Sequence, residues 1–350
     1  GLNILMSMKG DRKPVAFIED CAVSLEHLAD YTARLKEIFK KYGTSGMFYA
    51  HASVGTLHVR PVLNMKSDKD IQNMRSISEE AFEMVKDYKG SHSGEHGDGI
   101  VRSEFHEMMF GKKITNAFEE IKDTFDSKNL LNPGKIVRPF KSNDRSLMRY
   151  KSGYQTENID THYDWSNWGQ FSDAVEMCNN NGACRKLDSG VMCPSYRVTK
   201  EEKDLVRGRA NTLRLALSNQ LPEGSFASKE MYETMELCVS CKACQRECPM
   251  SVDMAKMKSE FLSHYYKKFS MRIKDRVISD MPRLIWLLKI VAPIFNKVKN
   301  LPLISTIVER FGFATARSMP EVQNQNALRE IYDSQTVSEN KVILFADTFN

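Results

Sequence analysis

The sequence predicts an α+β domain followed by a mostly helical, cysteine-rich domain. Up to about residue 138, strand-like and helix-like segments follow the order strand–helix–strand–strand–helix, which is typical of one sheet covered by helices. From 139 to 171 the chain turns polar, as a linker does. Beyond it the apolar spacing is mostly helical, and seven of the eight cysteines lie between 178 and 248. We therefore predict two domains joined by a linker, the second of them binding metal.

The elements of the first domain, predicted at 1–138, are marked by apolar periodicity and by turn residues. Segments rich in β-branched and aromatic residues indicate strands. Apolar residues at helical spacing, with Ser or Asp before them and Gly after them, indicate helices. In chain order we predict a strand at 14–19, a helix from Ser24 to Gly43, strands at 46–52 and 56–62, a helix from about 67 to 89, a glycine-rich loop at 90–99, and helices at 103–110 and 112–126.

The second domain, predicted at 172–270, is a series of helices. Thr199 and Glu202 form a capping-box pattern before the helical stretch RGRANTLRLAL. The turn LPEGS ends that helix, and a further helix leads directly into Cys238. Ser251 is the predicted cap of the helix that follows the cysteines.

The region 271–340 is predicted to form amphipathic helices that Pro293 and Pro302 interrupt. No stretch offers the ~18 unbroken apolar residues of a membrane helix. Packing on the rest of the protein and peripheral contact with a membrane surface both remain open. The last segment, 341–350, is typical of the first strand of a further α/β domain, so we expect the chain to be an internal piece of a larger protein.

Composition places the chain among ordinary globular proteins of the cytoplasm. It has 350 residues, 41% of them hydrophobic and 27% charged, which is enough for two or three domains. The net charge of +5 is spread along the chain and does not indicate a nucleic-acid partner. The opening residues do not form a secretory signal, and clustered cysteines fit a reducing compartment.

The most specific motif is Cys238–Pro249, which reads C-x2-C-x2-C-x3-C-P. Three thiolates at this spacing can bind one face of an iron–sulfur cube, and the cysteine before proline ligates a second cluster in two-cluster ferredoxins. Structural zinc prefers two separated C-x2-C pairs, and a disulfide knot does not fit a chain without a secretory signal. The motif therefore predicts iron–sulfur ligation by Cys238, Cys241 and Cys244. The fourth ligand is either Cys248 or a cysteine from elsewhere in the chain.

A second constellation lies in the first domain. His51 and His58 lie on the two adjacent predicted strands, where the turn between them can bring both side chains to one face. Glu95 and His96 lie in the glycine-rich loop. Two histidines and a carboxylate suit a metal site with positions left open for substrate, although strand histidines are more often structural or simply exposed.

These residues lie in motifs that resemble a known family. HASVGTLHVR, SHSGEHGDGIVR and LNPGKIV resemble the C-terminal substrate-binding domain of FAD-linked oxidases, the D-lactate, glycolate and D-2-hydroxyglutarate dehydrogenases. The resemblance implies an antiparallel-sheet cap domain of the vanillyl-alcohol-oxidase type. It also implies a divalent metal, commonly zinc, on His51, His58 and Glu95, with His96 as the base that takes the substrate hydroxyl proton.

Further roles follow from the same resemblance. Arg60 or Arg102 is the expected partner of the substrate carboxylate, with a surface salt bridge as the alternative role of Arg102, and Asn132 in the LNPGK turn is an expected cofactor contact. In this family FAD binds mainly to a domain preceding this segment, which is absent here. The sequence has no GxGxxG dinucleotide fingerprint, so the expected electron acceptor is not NAD.

A second resemblance covers roughly 173–265. Cys178, Cys184 and Cys193-Pro194, followed by RGRANTLR, resemble the iron–sulfur subunits of glycolate oxidase and anaerobic glycerol-3-phosphate dehydrogenase, which implies an α-helical two-cluster ferredoxin-type domain. By ligand exchange, Cys193 would complete a [4Fe–4S] cluster with the first three cysteines of the C-x2-C motif. Cys178, Cys184 and Cys248 would then leave a second cluster one thiolate short, since Asn181 occupies the missing position. That cluster could be [3Fe–4S], [4Fe–4S] with a non-cysteine ligand, or absent.

Together these features predict part of a flavin-dependent dehydrogenase. It would oxidise a small D-2-hydroxy acid, either D-2-hydroxyglutarate or D-lactate and glycolate, and pass electrons through iron–sulfur clusters to a quinone or a redox protein. The order of the domains resembles large bacterial proteins that combine FAD and iron–sulfur domains. The alternative is a non-catalytic electron-transfer module, which would have no use for the His51, His58, Glu95 and His96 set.

Overall fold

The computed structural model describes residues 5–316 and 321–322. The chain divides into two compact units, Gly1–Tyr265 and Tyr266–Asn350. Within the first unit, one hydrophobic core lies between the sheet and its helices, and a second lies among the helices that carry the cysteines. The predicted mixture of helices and antiparallel sheet is confirmed.

The sheet is built around one long central strand. The strands are β1 (Arg12–Pro14), β2 (Cys21–Ala22), β3 (Gly46–His51) and β4 (Thr56–Asn64). All three other strands pair antiparallel with β4. Strand β3 pairs with β4 along the whole of β3. The β3–β4 turn closes at Gly55 with φ +72°, where any Cβ would lie 1.9 Å from the Val23 carbonyl oxygen. Glycine is therefore required at this turn, which fixes the register of both predicted strands.

Two long helices cover the sheet. Helix α1 spans Leu28–Lys41, and helix α2 spans Asp68–Asp87. The apolar residues of α1 at helical spacing, Tyr31, Leu35 and Phe39, are all buried. Each such side chain stabilises the fold by about 1.5–3 kcal/mol on burial. The Ser67 hydroxyl caps α2 by accepting the Asp70 N–H at 3.3 Å, so the helix starts close to its predicted beginning at about 67.

The predicted strand at 14–19 is wrong in most of its length. Only Pro14 belongs to β1, and the chain then turns through a buried segment before β2. Asp20 takes φ +83°, a left-handed conformation that no strand residue adopts. Phe17 and Ile18 are adjacent and both buried, which fits a turn packed in the core and not a pleated strand with one solvent-facing side.

After the glycine-rich loop come three further helices. They are α3 (Gly99–Ser103), α4 (His106–Phe110) and α5 (Lys112–Phe125). The single helix predicted at 103–110 is therefore divided, and the helix predicted at 112–126 is confirmed to within one residue. The LNPGK turn follows, and the N–H of Ile136 donates to the Ser103 hydroxyl at 3.1 Å, which ties this turn to α3.

The polar stretch at 139–171 has no α-helix or strand before its last residue, but it is anchored to the helices that follow. Trp165 is only 3% exposed. The buried Glu260 carboxylate accepts the indole N–H of Trp165 at 3.0 Å and the backbone N–H groups of His162 and Tyr163 at 2.9 and 3.0 Å. The tryptophan-bearing end of the linker therefore packs on the cysteine-rich part.

Short helices pack around the second core. They are α6 (Phe171–Glu176), α7 (Pro194–Thr199), α8 (Val206–Leu217), α9 (Lys229–Glu236), α10 (Ala243–Glu247) and α11 (Met254–Lys268).

Two predicted caps in this part are wrong. The segment after Thr199 turns left-handed at Lys200, so α8 begins only at Val206. Ser251 has φ +51° and lies outside α11, where the Asp253 carboxylate accepts the Lys256 N–H at 3.0 Å instead.

The second unit contributes three described helices, α12 (Ile273–Ser279), α13 (Met281–Val298) and α14 (Pro302–Arg310). Pro302 begins α14 as predicted, whereas Pro293 lies inside α13 without ending it. No helix among the described residues is both long and apolar enough to cross a bilayer. The strand predicted at 341–350 lies outside the described residues.

Candidate functional site

The β3–β4 pair brings His51 and His58 together. Tyr49 pairs with His58 in the register, and His51 follows Tyr49 by two residues, so all three side chains lie on one face of the sheet. The two imidazole rings are 5.0 Å apart and nearly perpendicular. His58 is buried and His51 is partly exposed. The predicted approach of the two strand histidines is therefore present.

The loop that carries Glu95 and His96 is held by a residue that sequence reasoning missed. The buried Asp20 carboxylate accepts three consecutive backbone N–H groups, those of Gly94, Glu95 and His96, at 2.9, 2.9 and 2.7 Å. The Gly94 N–H also approaches the Asp20 carbonyl oxygen at 2.7 Å. A carboxylate that accepts this many N–H groups fixes the loop backbone, so the directions of the Glu95 and His96 side chains are set from Asp20.

One oxygen atom lies at the centre of the site. Oε1 of Glu95 is 3.2 Å from Nε2 of His51, 3.3 Å from Nε2 of His58 and 3.7 Å from Nε2 of His96. The His58 and His96 rings are stacked with centroids 5.0 Å apart. The structure therefore brings together all four residues that the sequence singled out.

Ligand atoms of His58, Glu95 and His96, with the Asp20 carboxylate, all lie within 4.8 Å of one another, and His51 reaches this group through Glu95, so a divalent metal could bind here. Zinc bound at 2.0–2.2 Å by tetrahedral ligands holds those ligand atoms about 3.3 to 3.6 Å apart. The spacing between the Glu95 oxygen and the two strand imidazoles is nearly that already. About half of the Glu95 side chain is exposed, so the site is open to a ligand on one side.

Behind His58 lies a second residue that sequence reasoning missed. Nδ1 of His58 is buried, and the Glu19 carboxylate is 3.6 Å from it. Glu19 in turn accepts two hydrogen bonds from Arg60, at 2.7 and 2.8 Å. Burial opposes the charge on Glu19, but the paired Arg60 guanidinium holds the pKa of Glu19 below its usual value. A carboxylate behind a metal-binding imidazole orients the ring and raises its basicity.

Both predicted substrate arginines make contacts within the protein. Two donors of Arg60 are used by Glu19. Arg102 is 6% exposed and donates to the carbonyl oxygens of Glu19 and Gly97, with its Nε 3.2 Å from Asp98 Oδ1. Arg102 therefore joins the Glu19–Asp20 turn to the loop that carries Glu95 and His96.

Asn132 lies in the exposed turn after α5. Its backbone is left-handed at φ +47°, and its side-chain oxygen accepts from Lys135 at 3.4 Å. In the described part of the chain, the Asn132 side chain bonds to Lys135 and makes no hydrogen bond to His51, His58, Glu95 or His96.

The cysteines form the second part of the site. Cys193, Cys238, Cys241 and Cys244 line one cavity together with the buried Arg209. Backbone N–H groups point at two of the sulfur atoms, since Val206 donates to Cys193 at 3.3 Å and Met254 donates to Cys244 at 3.4 Å. Hydrogen bonds of this kind tune an iron–sulfur cluster. The cavity fits the predicted exchange, in which Cys193 serves as the fourth ligand.

The other three cysteines between 178 and 248 belong to the same core. Cys178 lies within electrostatic reach of Cys184 and Cys248. Cys193 lies within the same reach of Cys184 and Cys244. Burial raises the pKa of Cys193 to about 12 and raises the pKa of the buried Cys178 and Cys184 thiols. Such thiols ionise near neutral pH only when a metal replaces their protons.

The backbone of 178–184 repeats that of 238–244. In the second segment, Ser240 and Lys242 have φ +55° and +59°, and a helical turn carrying Cys244 follows. In the first, Asn180 and Gly182 have φ +63° and +75°, and a helical turn carrying Cys184 follows. The repeat places Asn181 where the other segment has Cys241. Its side chain bonds locally, with Oδ1 accepting the Ala183 N–H at 2.8 Å.

Comparison with known proteins agrees with this arrangement. Residues 2–136 match the family described as FAD linked oxidases, C-terminal domain. Residues 174–252 match the 4Fe-4S dicluster domain. The resemblance inferred from the motifs is therefore confirmed for both parts of the chain, and with it the order of an oxidase-type domain and then a ferredoxin-type domain.

Similar proteins of known name are mostly hydroxy-acid dehydrogenases. D-2-hydroxyglutarate dehydrogenase of Pantoea ananatis is 31% identical over 80% of this chain and 30% of its own length. The Escherichia coli protein of the same name is 30% identical over 93% of this chain and 35% of its own length. D-lactate dehydrogenase of Archaeoglobus fulgidus is 33% identical over 38% of this chain and 29% of its own length. The chain thus spans about a third of the length of the D-2-hydroxyglutarate dehydrogenases that it matches.

Proposed function

We propose that this chain is the substrate- and cluster-bearing part of a flavin-dependent dehydrogenase that oxidises a D-2-hydroxy acid and passes electrons to an acceptor other than NAD. The observation that carries the proposal is the position of Glu95 Oε1 among three imidazole nitrogens, in the same compact unit as the C-x2-C-x2-C-x3-C-P motif. A pure electron-transfer module would not need the histidine–glutamate site.

The metal of this site is proposed to be zinc, held by His51, His58 and Glu95 in a cap domain of the vanillyl-alcohol-oxidase type. When bound, such a metal polarises the hydroxyl and carboxylate oxygens of a substrate. The chain's own contribution is orientation. Asp20 fixes the loop that carries Glu95, and Glu19 supports the His58 ring.

His96 is the proposed general base. Its Nε2 takes the proton of the substrate hydroxyl while the C2–H bond breaks, which leaves a 2-oxo acid. FAD, when bound, supplies the acceptor for the C2 hydride. An imidazole suits this role near neutral pH. About half of the His96 side chain is exposed, so substrate can approach it from the open side of the site. Asn132, which lies in an exposed turn, stays the proposed cofactor contact.

The contacts of Arg60 and Arg102 favour a changed role for both. We predicted that they hold the substrate carboxylate, but the donors described above are directed at Glu19, Gly97 and Asp98. We infer that Arg60 positions Glu19 and that Arg102 positions the loop. The substrate class rests on the names of the relatives, which favour D-2-hydroxyglutarate first and D-lactate or glycolate second.

Electrons are proposed to leave through a [4Fe–4S] cluster on Cys238, Cys241, Cys244 and Cys193. A second cluster on Cys178, Cys184 and Cys248 is supported by the repeated backbone of 178–184. The acceptor beyond the clusters is proposed to be a quinone or a redox protein in the cytoplasm.

Peripheral membrane contact is proposed through α13. Three apolar side chains spaced four residues apart on α13 are mostly exposed: Trp286 at 67%, Ile290 at 64% and Ile294 at 68%. Such an exposed apolar stripe suits an interfacial helix. Sedimentation with anionic lipid vesicles tests this contact. If replacing all three residues by serine leaves sedimentation unchanged, the contact is refuted.

The activity is tested by joining the chain to a flavin-binding domain and assaying D-2-hydroxyglutarate, D-lactate and glycolate with an artificial acceptor. We expect turnover of at least one D-acid and a loss of about 100-fold or more in His96→Ala, since general-base catalysis contributes about that factor. The exposed His27 supplies the control, because His27→Ala should keep full turnover. Absence of turnover with every acid, in protein that holds flavin and iron, would leave the electron-transfer module as the function.

A further inference from the structure

We propose that His92, Asp98 and His106 form a second divalent-metal site, separate from the site around Glu95. It would hold a transition metal of the kind that binds two imidazoles and one carboxylate, such as Zn²⁺, Co²⁺ or Fe²⁺. The proposal concerns the inner side of the loop that carries Glu95 and His96. It does not depend on the identity of the substrate.

The three residues meet in the interior of the first unit. His92 is fully buried and His106 is 3% exposed. One ligand atom from each residue lies within 4.8 Å of the others. Nε2 of His106 is 2.8 Å from Oδ2 of Asp98. The two imidazole rings are 5.4 Å apart and perpendicular at 89°, so the nitrogen atoms converge from different directions.

His92 is the residue that indicates a ligand. Neither of its ring nitrogens has a hydrogen-bond partner among the described residues, although Phe82 and Phe110 pack against the ring. An unpaired buried polar group destabilises the folded protein, so burying two in one side chain is unfavourable unless something binds there. The His106–Asp98 hydrogen bond alone leaves both nitrogens of His92 unexplained.

The protonation states suit a cation. Burial lowers the pKa of His92 to about 4, so its ring is neutral near pH 7 and has a lone pair available. Burial opposes the charge on Asp98, but hydrogen bonds from His106 and Ser93 lower the pKa of Asp98 to about 2, so it is ionised. Neutral imidazole and carboxylate are the forms that bind metal.

The geometry requires only a small adjustment. Ligand bonds of 2.0–2.2 Å hold ligand atoms about 3 to 4 Å apart. Contraction by less than about 1 Å would bring the widest pair to that range. The other oxygen of Asp98 is 3.2 Å from Nε of Arg102, which gives the carboxylate an outer partner that orients it.

The two sites lie on opposite sides of one loop. Glu95 and His96 are about half exposed and face the strand histidines. His92 and Asp98 point inward to His106 on α4. A metal at the inner site would fasten the chain on both sides of Glu95 and His96, at His92 and Asp98, to α4, and so order the loop whose outer side carries these two residues.

The test is a metal count on the intact chain. Purified protein is stripped with a chelator under anaerobic conditions, reloaded with Co²⁺ or Zn²⁺, and analysed with iron determined separately. We expect two equivalents in the wild type, one in His92→Leu, one in Glu95→Gln and none in the double variant. If Glu95→Gln loses one equivalent of metal while His92→Leu binds as much metal as the wild type, the inner site at His92, Asp98 and His106 is refuted. The opposite pattern would refute the outer site and leave the inner one standing.

Thermal unfolding separates a metal ligand from a buried histidine of structural importance. In chelator, His92→Leu should melt at or above the wild-type temperature, because it removes an unpaired buried polar group. Added metal should raise the wild-type unfolding midpoint by several degrees. In His92→Leu only the rise due to the site around Glu95 should remain, and Glu95→Gln should remove that part of the rise. His27→Leu, an exposed control, should respond as the wild type. An equal metal-induced rise in Glu95→Gln and in its double variant with His92→Leu would overturn the proposal.

Discussion

The buried Asp20 carboxylate accepts the backbone N–H of His96 at 2.7 Å. The same carboxylate accepts the N–H groups of Gly94 and Glu95, so one acidic side chain fixes the segment that presents both the metal ligand and the proposed base. Sequence spacing alone does not connect Asp20 with a loop more than seventy residues later.

Asp20→Asn should loosen this loop. The amide keeps the size of the side chain and tolerates φ +83°, but its NH₂ group faces N–H donors and one acceptor oxygen is lost. We expect about 2 kcal/mol less stability, the worth of a hydrogen bond to a charged group, and about 10-fold or weaker binding of metal at the outer site. Chemical denaturation and Co²⁺ titration measure these effects. The exposed Asp87→Asn is the control, and wild-type metal affinity in Asp20→Asn would contradict the role given to Asp20.

Arg60→Met distinguishes a positioning arginine from a substrate ligand. Because Arg60 contacts Glu19 behind His58, we expect metal affinity to fall about 10- to 100-fold, with KM close to that of the wild type once metal is saturating. Glu19→Gln should reproduce the loss of metal affinity. Arg34→Met is the control, because the Arg34 side chain contacts Tyr88 and not Glu19. A large rise in KM at unchanged metal affinity would restore Arg60 as the carboxylate partner.

Asn181→Cys tests the second cluster. The repeated backbone of 178–184 places residue 181 where 238–244 has Cys241, so a thiol there should complete the ligand set. We expect an increase in iron content and the loss of any EPR signal from an oxidised three-iron cluster. Asn179→Cys, two residues away, should change neither quantity. Unchanged iron and EPR in Asn181→Cys would argue against a cluster at these residues.

Glu260 should determine part of the acid stability of the first unit. Burial raises the pKa of Glu260, but hydrogen bonds from Trp165, His162 and Tyr163 outweigh it and hold the pKa below the usual 4.5. A lowered carboxyl pKa stabilises the folded protein above about pH 4.5, and that stabilisation is lost as the pH falls through the folded value. Trp165 fluorescence against pH should report the loss. Glu260→Gln should flatten the acid limb, whereas the exposed Glu233→Gln should leave it intact; an identical acid limb in both would refute this account.

Local patterns predicted the regular elements well. The apolar spacing of Tyr31, Leu35 and Phe39 and the cap at Ser67 depend on contacts within one helix, so a single sequence contains them. Two adjacent strand-like segments, with a glycine turn between, were sufficient to place His51 beside His58.

The supporting residues could not be predicted in the same way. Glu19 and Asp20 end a segment that resembles a strand, and only contacts with β4 and the catalytic loop show that it is a buried turn. Arg60 and Arg102 were assigned to substrate because a free guanidinium suits a carboxylate, but both contact Glu19, which is distant in sequence from each of them. A buried acidic pair directly after an apolar stretch is the one signal that could have indicated the turn.

The central claim is that substrate oxidation at His96 delivers electrons to the cysteine-bound cluster. The most direct measurement is EPR after anaerobic mixing of D-2-hydroxyglutarate with the chain joined to a flavin-binding domain. We predict that the signal of a reduced [4Fe–4S] cluster develops in the wild type, is absent in His96→Ala, and is produced in both by dithionite. Equal cluster reduction by D-2-hydroxyglutarate in His96→Ala, or none in the wild type with flavin and cluster in place, would contradict the account.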